Sequence, residues 1–82
     1  MNLRQFKGLD EMVQIGITWN NGVHVATYDD NVYQYLLYQI DEFYVEVWYH
    51  VELEVIHRFL AFDDMNRLDP YLKEIDIDVF HL

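Results

Sequence analysis

Leu37-Tyr-Gln-Ile-Asp-Glu-Phe-Tyr-Val-Glu-Val-Trp-Tyr-His50, followed after a short acidic interruption by Val55-Ile-His-Arg-Phe-Leu-Ala-Phe62, decides the fold. The run is dense in aromatic and β-branched residues, which fit a pleated, half-buried surface. Residues 43–50 alternate cleanly: Phe43, Val45, Val47 and Tyr49 point one way, and Tyr44, Glu46, Trp48 and His50 the other. Asp41-Glu42 makes a two-residue connection to the strand before it, residues 33–40, without the Gly or Asn that tight hairpins prefer. Residues 55–62 form the strand after it. Working back, residues 23–28 read as a first strand closed by the Asp29-Asp30-Asn31 turn cluster. Short loops between consecutive strands imply antiparallel neighbours. The expected sheet is a four-stranded antiparallel β-meander spanning about residues 23–62.

On either side of the meander the signals change. Residues 10–21 read two ways. Val13, Ile15, Ile17 and Trp19 alternate with polar or small residues, as in a strand. Asp10 as N-cap, a Met12/Ile15/Trp19 stripe and a left-handed Gly22 at the end describe a helix instead. Periodicity by itself leans towards the strand. After Asp63-Asp64, Met65, Leu68, Leu72 and Ile75 repeat at helical spacing. Pro70 is awkward in mid-helix, so a short turn from about 65 and a helix starting near Asp69 resolve the pattern. The tail Ile75-Asp-Ile-Asp-Val-Phe80 alternates apolar and acidic residues and would add an edge strand or lie against the sheet.

Trp19-Asn-Asn-Gly22-Val23, the Leu37-Tyr-Gln-Ile-Asp-Glu-Phe-Tyr-Val-Glu-Val47 run and Leu68-Asp-Pro-Tyr-Leu72 resemble a group of short uncharacterised bacterial proteins. The resemblance covers roughly residues 9–76. It implies no catalytic or ligand residues, because no activity is known for the group. Its members look helical before the Gly-Val, which tips residues 10–21 towards a helix. The expected fold is therefore α+β: the meander, a helix at about 10–21 and a short one at about 65–75, with the helices on one face. Val45 and Val47 would then face a helix carrying Trp19 or Leu72.

Eighty-two residues fit a single small domain. Such chains are usually stapled by disulfides or metal, or stabilised by association. There is no cysteine, so disulfides and thiolate metal sites are excluded, and with no serine either, so are Ser-His-Asp and Cys-His arrangements. Gly8, Gly16 and Gly22 build no phosphate-cradling loop. Fifteen acidic residues against five scattered basic ones give a net charge of −10, which disfavours direct binding to nucleic acid or to anionic membranes. No stretch is apolar enough to span a membrane, and residues 1–8 lack a signal-peptide core, so an intracellular, cytoplasmic protein is expected.

Three sets of residues compete as a site. His50, Glu52 and His57, with Glu54 nearby, could bind a divalent metal and support a hydrolase, but the spacing fits no standard signature. The bland alternative is a solvated acidic hairpin with incidental histidines. The acid pairs Asp29-Asp30, Asp41-Glu42 and Asp63-Asp64 fall at turns, where solvation keeps carboxylates ordinary. The same acids could instead imitate phosphates, making the chain an acidic decoy for a nucleic-acid-binding protein. The third set is the sheet face carrying Tyr44, Glu46, Trp48 and His50, extended by Tyr38 or Tyr35 on one side and Ile56 or His57 on the other. Left uncovered, it would be an aromatic recognition surface; covered by a helix or the tail, it would be a second core. The leading expectation is a small non-enzymatic interaction module without a cofactor, self-associating as a homodimer through Tyr38, Tyr44, Glu46, Trp48 and His50.

Overall fold

The computed structural model describes residues 1–74. The chain runs α1 (Leu3–Lys7), α2 (Glu11–Asn21), β1 (Val23–Asp29), β2 (Tyr33–Ile40), β3 (Phe43–His50), β4 (Val55–Phe62), a 3₁₀ turn (Met65–Leu68) and α3 (Asp69–Glu74). The four strands form one antiparallel sheet in the order β1-β2-β3-β4, the expected α+β meander. The edge strand or sheet-packed segment expected at residues 75–80 lies outside the described residues. Among those described, no helix is long and apolar enough to cross a membrane.

Register follows from the tight turn. Ile40 pairs with Phe43 across Asp41-Glu42, and Asp41 supplies the left-handed residue at φ 50° that a glycine would normally provide. That pairing puts Leu36, Tyr38 and Ile40 on the same face as Phe43, Val45 and Val47, here called face A. Face B carries Tyr33, Tyr35 and Leu37 with Tyr44, Glu46 and Trp48. Each edge strand holds one bulge: Val25 is the extra residue on β1, and His57 the extra residue on β4. A bulge bends its strand and disrupts the ladder locally.

Residues 10–21 are helical from Glu11, but not for the reasons the stripe gave. The inward side of α2 is Gln14, Ile17 and Thr18, spaced by three and four, while Met12 and Trp19 are exposed. Gln14 Nε2 donates to the carbonyls of Phe6 and Leu9, tying α2 to the end of α1, and buried Thr18 donates back to Gln14 O. Gly22 ends the helix in an extended conformation (φ −72°, ψ 142°), a correction to the left-handed cap expected there. What requires glycine is space, since an added Cβ would lie 2.5 Å from Thr18 O. Gly22→Ala should therefore cost about 1–2 kcal/mol from overpacking, measured by urea denaturation.

The helices do not share one face, which corrects the layered arrangement expected. α1 and α2 cover face A at the end near the β2–β3 turn, where Phe6, Ile40, Phe43 and Val45 form a buried cluster with Leu3, Ile17, Phe59 and Ala61 packed on it. Face B has its own cluster: Tyr35, Leu37, Phe62 and Tyr71, with Tyr28, Tyr44, Trp48, Leu60 and Leu68 around them. Tyr71 comes from α3, so the C-terminal helix roofs face B. The sequence forces this division. Eight-residue strands with apolar side chains on both faces cannot be sealed by one short helix.

Candidate functional site

The residues expected to form one aromatic surface are divided by the sheet. Tyr38 lies on face A opposite Val45, where its ring meets Trp19 at 5.4 Å and His24 at 5.4 Å. It cannot join Tyr44 and Trp48. Ile56 likewise pairs with Tyr49 on face A, whereas Tyr35 and His57 do reach face B. The face-B aromatics are largely packed: Tyr35 meets Tyr28 at 4.4 Å and Trp48 at 5.2 Å, and Tyr71 meets Tyr28 edge-on at 4.8 Å.

Glu46 is the centre of that packing. It is buried, with 6% of its surface exposed, and accepts hydrogen bonds from Trp48 Nε1 (2.6 Å) and from Tyr71 Oη (2.7 Å). Among the described residues it has no ion-pair partner. Two neutral donors satisfy it instead, and the bond from Tyr71 latches α3 to the sheet. Tyr71 shows the consequence. Burial, then the hydrogen bond to Glu46 and its charge, push the phenol well above its ordinary value. Tyr35, buried and donating to Asp30 Oδ2 at 2.7 Å, is pushed up for similar reasons. Both protons are held more tightly in the folded chain than in the unfolded one. Their stabilisation is thus complete below the ordinary phenol value of about 10 and is lost as pH rises beyond it. Urea midpoints should accordingly fall between about pH 9 and about pH 11; a flat profile would contradict the assignment.

His50 and His57 do come together, with ring centroids 5.1 Å apart, and Tyr33 Oη lies 2.8 Å from His57 Nδ1. Glu52 sits exposed in the connecting turn. His50 Nδ1 accepts the Leu53 N–H at 3.0 Å. The neutral ring then carries its proton on Nε2, leaving no lone pair there for a metal. Among the described residues, no group of three or more His, Asp or Glu is arranged to hold a metal ion. The pair acts as a brace for the β3–β4 turn, in which Glu54 adopts φ 56° and its N–H bonds to His50 O at 2.8 Å.

The open apolar surface lies elsewhere, at the other end of face A. Half-buried Leu36 and Tyr49, with Val47 buried beneath them, form its floor, Val55 and Ile56 one side, and Trp19 the wall facing the helix-covered half; Gln34 and Glu54 complete a shallow, open depression of about 520 Å³. Trp19 is 47% exposed although its ring packs edge-on against Tyr38 and Phe59. Val55 and Ile56 are also exposed, at 42% and 40%. The alternation in 43–50 located Val47 and Tyr49, but not this surface, because how far α2 reaches along the sheet is not written in any local pattern. No protein-family model matches the chain, and comparisons with curated proteins and with solved structures found no match.

Proposed function

We propose that the chain is a small non-enzymatic interaction module whose docking surface is the depression between Trp19 and Ile56. The observation that carries this reading is the half-covered face A, where among the described residues no element is laid over the aromatic and aliphatic surface beyond Trp19. Exposed contiguous apolar surface rimmed by polar residues is characteristic of protein contacts. Two other surfaces are less suitable. α3 occupies the middle of face B, and both edge strands carry bulges, which natural sheets use to discourage strand addition. The decoy reading gains little from the geometry. Asp29, Asp30, Glu52 and Glu54 sit at one end of the sheet and Asp41, Glu42, Asp63 and Asp64 at the other. Eight-residue strands separate the two groups by about 26 Å at ~3.3 Å per residue, which makes no continuous phosphate-like track.

Site-specific photo-crosslinking in cells tests the proposal. A benzophenone amino acid at Ile56 should give an adduct of discrete mass, and the same group at Val23, exposed at the start of β1, should not. An adduct of twice the chain mass would identify the partner as a second copy. Absence of any discrete adduct at position 56, or equal adducts at both positions, would remove the reading.

A further inference from the structure

Resting on that reading, we propose that the depression receives an apolar segment flanked by basic residues and carried by another protein, not a second copy of this chain. The charges around it carry the argument. A row of cross-strand neighbours runs over face A from Asp29 through Gln34 and Tyr49 to Ile56, and Glu54 stands just beyond Ile56 in the lining. Carboxylates therefore flank the apolar floor on both sides, Asp29 lying about 14 Å from Ile56 at ~4.8 Å per strand and Glu54 next to Ile56 at the far edge. No strand places a Lys or Arg on face A; Arg58, the single strand cation, lies over the Trp48 ring on face B at 5.0 Å. Among the described residues neither flanking acid has a salt-bridge partner; the one salt bridge there joins the Met1 amino group to Asp41.

A two-fold contact presents the same patch from both sides. Two copies meeting here would set Asp29 and Glu54 of one against carboxylates of the other, on chains that each carry −10. A segment with aliphatic or aromatic side chains at its centre and Lys or Arg on either side fills the floor and meets both acids. Electrostatic complementarity of this kind selects partners and speeds encounter more than it deepens affinity.

The test uses the whole chain and two synthetic peptides with one Leu/Phe core, flanked in one case by lysines and in the other by glutamates. Amide and indole shifts are followed by NMR. The lysine-flanked peptide should shift Trp19, Tyr49 and Ile56, with affinity falling about tenfold or more as salt rises from about 0.05 to about 0.5 M. The glutamate-flanked peptide should give no shifts. In the Asp29→Lys/Glu54→Lys variant the preference should reverse, and both sites are exposed, so the fold should survive. Equal binding of the two peptides, binding by neither, or shifts elsewhere would overturn the inference. A discrete adduct of twice the chain mass from position 56, with no peptide binding, would leave the docking surface standing and this partner chemistry wrong.

Discussion

Phe43→Ala should leave the chain unfolded at room temperature. Phe43 is 1% exposed, begins β3 immediately after the tight turn, and meets the Phe6 ring at 5.1 Å, so it joins α1 to the sheet. Truncating a buried phenylalanine costs about 3–5 kcal/mol in transfer energy and unfilled cavity. A small domain without disulfides has about 3–5 kcal/mol to lose. The two quantities match, so far-UV circular dichroism should show loss of the sheet. A cooperative unfolding transition within about 1 kcal/mol of wild type would mean that the Phe6 cluster is not the main source of stability.

The second large effect belongs to the Glu46 latch, and it should be non-additive. Glu46→Leu leaves the buried Tyr71 hydroxyl and the half-buried Trp48 indole without their acceptor. An unsatisfied buried donor costs about 1–3 kcal/mol, so the loss should be about 2–4 kcal/mol, with Trp48 recovering part of its share from water. Tyr71→Phe in the same background removes the stranded hydroxyl. The double variant Glu46→Leu/Tyr71→Phe should be more stable than Glu46→Leu alone, because replacing both partners by apolar groups is nearly neutral. Additive losses would show that the two residues do not act as a pair.

How much of this was legible depended on how local the determining contacts were. The meander was, because Phe43 to His50 alternates and the turn residues fall where strands must end. Face assignment across the hairpin was legible in principle. A two-residue turn at Asp41-Glu42 pairs Ile40 with Phe43, which places Tyr38 beside Val45 rather than Tyr44. Residues 10–21 were ambiguous because α2 buries a polar side, Gln14 and Thr18, whose value lies in bonds to Phe6, Leu9 and the helix itself. Helix α1, at five residues, is too short to show a helical period, although Asn2 and Gln5 form a complete capping box. The bulges at Val25 and His57 left no signal, and α3 reaches face B through one residue, Tyr71, that looked like any other aromatic.

The sequential strand order has a kinetic consequence. Each strand meets its neighbour across residues 30–32, 41–42 or 51–54, so no pairing has to wait for a distant part of the chain. The loop-closure entropy of each step is small, and low contact order places such a topology among sheets that fold in milliseconds rather than seconds. A nascent chain could zip β1 to β4 before Tyr71 arrives, with α3 closing over face B last.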